Sequence, residues 1–382
     1  MIRALAVALL IPLLLAGCSS SGGKAGDADE LRIGLLAPLT GTPMRYTAHR
    51  AAQALVDRIN AEGGLDVGGR KLPLRLFVED TAGQTEHVMS ATAKLIRQDR
   101  VQVILGPSFS REAIPAATAA EAAQVLMLTP TASNPLVTRG RRFVFRVCML
   151  DSAQSRALAI HACQDLGMRR VAVLYDESDD YSRGMAERFE EAMRDQPGAR
   201  ALMLPYTRGV EDFSAALMRV GAFHAQALLL PNFIEDLPRQ MAQARAAGFK
   251  GLFLGGDSWD SDRGVFGLPE AQGARFSVEF AEAAVAPEAL AAARELVAKS
   301  GADLDKNTAL TLDAMGLLFA AARKVGAVDS ASLRSGLLAV RGFIGLTGPV
   351  SYETGGDPVR VMHIVEIGGG QLTPIKDITP DR

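Results

Sequence analysis

Cysteine, aromatic side chains, net charge and long apolar runs are all scarce in this chain of 382 residues. Three cysteines, Cys18, Cys148 and Cys163, are too few for a disulfide framework or a four-thiolate zinc site, although the last two could pair. A formal charge of -2, from 41 basic and 43 acidic residues, provides no global field for nucleic-acid phosphates. Only the first twenty residues contain an unbroken apolar run, so the body carries no membrane-spanning pattern. What remains is the composition of an ordinary globular chain, 48% hydrophobic and 22% charged, long enough for two or three cores.

Arg3 precedes the apolar run Ala4–Leu15, which has the length of a secretory signal core and falls short of a membrane-spanning helix. The run ends in Leu15-Ala16-Gly17-Cys18, which resembles the bacterial lipobox. Residues 1–17 are therefore expected to be a lipoprotein signal peptide, and Cys18 the lipidated first residue of the mature protein. Multiple acyl chains hold a protein stably where one binds only marginally. Residues 18–30 are small, polar and glycine-rich and are expected to form a flexible tether.

From Leu31 onward, short apolar runs alternate with segments of helical period, the pattern of parallel sheets covered by helices on both faces. Strands are predicted at Leu31–Leu36, Leu72–Val78, Val101–Leu105 and Val125–Leu128, and a helix at Tyr46–Ala61. A second series has strands at Val171–Tyr175, Ala201–Leu204, Ala227–Leu230 and Leu252–Leu254, with helices beginning near Ser152, Ser182, Asp212 and Asp236. Two further helices, Thr308–Lys324 and Ser330–Val340, and a strand, Val361–Ile367, complete the chain.

Enzyme signatures are missing or incomplete. There is no phosphate-binding GxxxxGK[ST] loop and no GxGxxG after the first strand. Ser108 and Ser110 follow a strand, but the second flanking glycine of a nucleophile elbow is absent and Ser110 has no evident histidine partner. His161 and Cys163 are two residues apart on a predicted helix and face different ways. Asp257, Asp260 and Asp262 lack the glycine and distal glutamate of a calcium loop. The expectation is a protein without catalytic residues, metal or cofactor.

The informative segments lie at strand ends: GPSFSRE from Gly106, TPTASNP from Thr129 and GGDSWD from Gly255. Ligands of open α/β sheets bind at such carboxyl ends. With IGLLAPLTG (Ile33–Gly41) and INAEGG (Ile59–Gly64), these motifs resemble, in order, those of the periplasmic leucine/isoleucine/valine-binding proteins, type I substrate-binding proteins of ABC importers. The resemblance runs from Leu31 to about Ile367. It implies an α/β fold of two doubly wound lobes joined by a three-crossing hinge. An N-terminal lobe of residues 31–146 and 281–344 and a C-terminal lobe of 147–280 and 345–382 are expected, with crossings near Val147–Asp151, Val278–Ala281 and Gly345–Pro349.

By the same resemblance, the hydroxyls of Ser110 and Ser133 and the backbone of Ala132 would hold an α-carboxylate, and Asp257 would pair with an α-ammonium. Tyr46, Tyr181, Phe233 and Trp259 would wall the pocket. Ser110 also opens a predicted helix, whose free amides and positive dipole end suit an anion. The sequence departs from the family at Ser108, Phe109 and Ala82, where several relatives carry an aliphatic wall and a disulfide pair, so a branched aliphatic pocket does not follow. The expected function is a lipid-anchored, extracytoplasmic receptor closing on a small amino-acid-like ligand and docking on an ABC permease in the inner membrane. Rival readings are a sensory or structural lipoprotein contacting a kinase or cell-wall enzyme, and a transport receptor for an amide or aromatic acid. Loss of Asp257's ammonium partner would mark the latter.

Overall fold

The computed structural model describes residues 29–378 apart from 43 and 262, so the expected signal peptide and Cys18 lie outside the described residues. The alternating pattern folds into two sheets. Strands β1 (Leu31–Ala37), β4 (Leu74–Asp80), β5 (Val103–Leu105), β6 (Leu126–Thr129) and β7 (Val144–Arg146) form a parallel sheet in the order β4-β1-β5-β6-β7; a small hairpin, β2 (Leu65–Val67) and β3 (Arg70–Leu72), precedes β4. Nearly continuous apolar runs such as Val103–Leu105 are buried on both faces, as a two-sided parallel sheet requires. Helices α1 (Ala48–Ala61), α2 (Thr85–Arg97) and α3 (Ser110–Ala123) connect these strands.

The second sheet contains β8 (Arg170–Asp176), β9 (Arg200–Tyr206), β10 (Ala227–Leu229), β11 (Leu252–Gly255) and β12 (Arg275–Val278), in the order β9-β8-β10-β11-β12. It is wrapped by α4 (Asp151–Ile160), α5 (Asp180–Arg194), α6 (Ser214–Ala222) and α7 (Leu237–Ala246). The chain then returns to the first half through α8 (Pro287–Ser300), α9 (Lys306–Val325) and α10 (Ser330–Ala339), whose apolar faces join the core under α1. A three-stranded sheet, β13 (Phe343–Gly345), β14 (Gly348–Tyr352) and β15 (Pro358–Arg360), follows, and the antiparallel pair β16 (Met362–Gly368) and β17 (Gln371–Ile378) extends the second sheet beside β12.

The chain therefore passes between the halves three times. The first two passages follow β7 and β12. The third differs: Val350 packs in the first core and the Tyr352 ring meets Phe145 edge-on at 5.1 Å, so this passage falls after Arg360 and not at Gly345–Pro349. Short irregular strands such as β13 carry too little periodicity to be assigned to a lobe from sequence. Cys148 and Cys163 are both buried free thiols. Among the described residues, no helix is long and apolar enough to cross a membrane.

Candidate functional site

In each sheet the connections reverse direction at one point, between β1 and β5 in the first and between β8 and β10 in the second. The carboxyl ends of strands at such points leave a crevice. Gly106, directly after β5, makes the turn there possible: its φ is +87°, and a Cβ would stand 2.3 Å from the Leu36 carbonyl oxygen. The loop delivers Ser108 and Phe109 to the crevice and starts α3 at Ser110.

A small cavity lies between the halves. The first half contributes Met44, Ser108, Phe109, Ser110 and Thr131, the second Tyr181, Phe233, Asp257 and Ser258, and the first turn of α9 adds Lys306 and Asn307. Phe233 is held between two rings, edge-on to Phe109 at 5.4 Å and tilted against Tyr181 at 5.3 Å, which makes an aromatic wall spanning both lobes. Gly256 makes room for it, because a Cβ there would lie 2.3 Å from the Tyr181 hydroxyl. Three helices, α3, α5 and α9, begin at or beside this cavity; α5 and α9 are capped by Asp179 and Asp305, whereas α3 has no side-chain cap, so its first-turn amides and positive dipole end are the ones that favour an anion.

Of the residues predicted from sequence, Ser110, Tyr181, Phe233 and Asp257 are brought together on the cavity wall. The other four are placed elsewhere. Tyr46 is buried in the first core, stacked on His49, with its phenol beside Ser108 and Thr311. The Ala132 amide donates to Thr129 Oγ1 at 3.2 Å and its carbonyl accepts from Arg146 Nη1 at 2.8 Å, so both backbone groups are engaged. The Ser133 carbonyl accepts from the Asp151 amide at 3.1 Å and its hydroxyl stands beside the Asp151 carboxyl, off the cavity wall. Trp259 is a core residue: its indole covers Gly255, lies 5.7 Å from the Phe276 ring and donates to the Leu230 carbonyl at 2.8 Å.

Sequence reasoning missed Met44, Thr131, Ser258 and Asn307 on the wall and, most consequentially, Lys306. Its ammonium donates to Asp257 Oδ2 at 2.9 Å and to the Asp257 carbonyl at 2.8 Å, and both side chains are 2% exposed. Burial alone would lower the lysine's pKa, but the carboxylates of Asp257 and Glu279 outweigh it and hold it above the ordinary value. Thus Asp257 already faces an ammonium, supplied by the protein. A signal existed in the sequence: Lys306 follows the capping Asp305, in the first turn of an apolar helix, where a cation opposes the helix dipole unless a specific anion compensates.

Further acids surround the pair. Burial pushes Asp151 and Asp260 up to about 8, with Asp257 adding to the rise at Asp151 and Arg263 opposing it at Asp260. An aspartate titrates near 3.8 without these effects, so across the interval from there to about 8 the folded chain holds more protons than the unfolded one. The contribution of these groups to stability therefore falls as pH rises through that interval and levels off above it. Asp260→Asn should flatten this dependence, giving a smaller stability loss between pH 5 and pH 8 than the parent chain in urea titrations; an unchanged slope would assign the titration elsewhere.

Between the halves, Arg111 Nη1 of α3 meets Asp179 Oδ2, the cap of α5, at 2.7 Å, with its guanidinium 4.1 Å from the Phe109 ring centroid. Nearby, Asn134 Nδ2 donates to the Asp180 carbonyl at 2.7 Å. These bonds join the halves.

Comparison with known proteins agrees with this architecture. Residues 30–371 match the family model described as periplasmic binding protein. The chain is similar to the Leu/Ile/Val-binding protein BraC3 of Rhizobium johnstonii, 31% identical over 284 residues that span 71% of this chain and 73% of that one. Its fold is similar to that of a leucine-binding protein from Thermotoga maritima, with a TM-score of 0.83 and 27% identity over 92% of this chain and 99% of the other. An ABC transporter solute-binding protein from R. palustris in complex with benzoate shares the fold alone, at a TM-score of 0.76 and 20% identity over 92% and 97% of the two chains. With two doubly wound lobes, three passages between them and these relatives, the chain belongs to the periplasmic binding protein family, as a type I substrate-binding protein of the leucine/isoleucine/valine-binding group.

Proposed function

We propose that this protein is the extracytoplasmic solute receptor of an ABC importer, tethered to a membrane through a lipidated Cys18, and that it captures a small carboxylate of amino-acid size between its lobes. The observation carrying this reading is the composition of the cavity wall: Ser110 at the head of α3 on one side, Tyr181, Phe233 and Asp257 on the other. A ligand touching both lobes stabilises the closed form over the open one by its differential affinity. The lobes themselves are residues 31–148 with 282–360, and 149–281 with 361–378, a division supported by sheet and core membership.

The ligands named for the relatives, branched-chain amino acids and benzoate, share a carboxylate on a compact apolar body. The same two ends are available here, hydroxyls and helix amides at Ser108–Ser110 for the anion and the Phe109–Phe233–Tyr181 wall for the body. The lipid keeps the receptor near a membrane permease at high effective concentration. The protein needs no covalent step for this task. In a thermal-shift screen of the mature chain against small carboxylates, a true ligand should raise the melting temperature progressively with concentration. Deleting the gene should abolish uptake of that compound, and Cys18→Ala should release the receptor from the membrane. A screen without any shift, or uptake that survives deletion, would defeat the proposal.

A further inference from the structure

The receptor reading leaves open what the second polar group of the ligand is, and the Lys306–Asp257 pair addresses this. One oxygen of Asp257 is bound by the Lys306 ammonium at 2.9 Å, while the other, Oδ1, is buried without a hydrogen-bond partner among the described residues. The charge of the aspartate is met, yet one acceptor is unsatisfied, and such a group costs free energy until a donor reaches it. A ligand ammonium would bring a second cation onto a carboxylate already holding one, in a site where both protein side chains are 2% exposed and repulsion is weakly screened. A neutral donor meets the oxygen without that repulsion. At the other end of the cavity, Ser108 and Ser110 at the head of α3 suit an anion, and the ring wall suits an apolar body.

Resting on the receptor reading above, we infer that the cavity selects a small carboxylic acid whose second polar group is an uncharged hydrogen-bond donor, a 2-hydroxy acid in its simplest form, and that Lys306 is the residue that excludes an α-ammonium. The hydroxyl donates to Asp257 Oδ1 while Lys306 keeps Oδ2. The carboxylate faces the α3 end.

Two ligand series differing only at C2 test this by calorimetry. One comprises leucine, 2-hydroxy-4-methylpentanoate and 4-methylpentanoate; the other comprises phenylalanine, 3-phenyl-2-hydroxypropanoate and 3-phenylpropanoate. In the parent protein the hydroxy acid of at least one series should bind tightest, and its amino acid at least roughly tenfold more weakly. In Lys306→Gln, which frees Asp257 for a ligand cation, the order of amino acid and hydroxy acid should reverse. Should that variant not fold, Asp257→Asn/Lys306→Gln, a neutral pair of similar shape, should bind with the discrimination between the two ligands lost. An amino acid binding tightest to the parent protein would overturn the inference and leave the receptor reading intact. The unsubstituted acid binding as tightly as the hydroxy acid would also overturn it. If the folded parent protein binds no member of either series, the carboxylate-receptor reading and the inference fall together.

Discussion

Lys306→Met is expected to lower the free energy of unfolding by about 3–5 kcal/mol, the range for removing one partner of a buried ion pair. The variant leaves Asp257 with no cation and leaves Glu279 without the ammonium that offsets its burial. Solvent cannot compensate, because the Asp257 side chain is 2% exposed. The loss should be largely reversed in Asp257→Leu/Lys306→Met, since replacing a whole buried pair by apolar groups is often neutral or stabilising. A double-mutant cycle by chemical denaturation reads both results. Independent losses for the two substitutions would show that the pair does not act as a unit.

Arg146→Met should cost a similar amount, about 3–5 kcal/mol, for a different reason. This guanidinium is fully buried at the end of β7 and acts as a hub: Nε bonds Asp357 at 2.7 Å, Nη1 the Ala132 carbonyl at 2.8 Å, and Nη2 the Asn134 carbonyl at 2.9 Å and Thr138 Oγ1 at 2.8 Å. Asp357 is partly exposed and can rehydrate. The carbonyls cannot, and each buried acceptor left unpaired costs about 1–3 kcal/mol. Arg146→Lys should rescue little, because a point-charge ammonium cannot reproduce the planar fork. The loop it organises carries Thr131 on the cavity wall and Asn134 on the bridge to Asp180, so ligand affinity should fall along with stability. A stable Arg146→Lys protein with unchanged affinity would show that charge alone holds the loop.

The two properties meet where the halves touch. Lys306 reaches from the first half to Asp257 of the second, and Arg111 reaches from the first half to Asp179 of the second. In the closure proposed above, these ionic bonds would join the halves before any ligand adds to them, and the ligand would tip an equilibrium that they already bias.

Much of the scaffold was legible because its signals are local. Leu31–Ala37, Arg170–Asp176 and Leu252–Gly255 lie within a residue or so of their predicted bounds, since a buried parallel strand is a compact apolar run between polar turns. The positions of Ser110 at a helix start and Asp257 just past a strand end could also be read, because each is a relation between neighbours in the chain. Strands β13 to β15 could not be assigned to a half, because their partners are distant and their own periodicity is too short.

The roles of Trp259, Tyr46 and Ser133 depended on side-chain direction. One residue's rotation sends a ring either into a crevice or into a core, and a strand-end motif does not encode that rotation. Residues 257 and 306 are separated by most of the return to the first half, so no local pattern reveals that they touch. Sequence alone supplied the compartment expectation, the two-lobed α/β architecture and the strand ends that carry the candidate site, because these follow from period, order and the resemblance of short local motifs to those of a known family. Only the tertiary structure decided that a lysine of the protein occupies the aspartate's charge, because that is a contact made by folding two distant segments into one water-poor space.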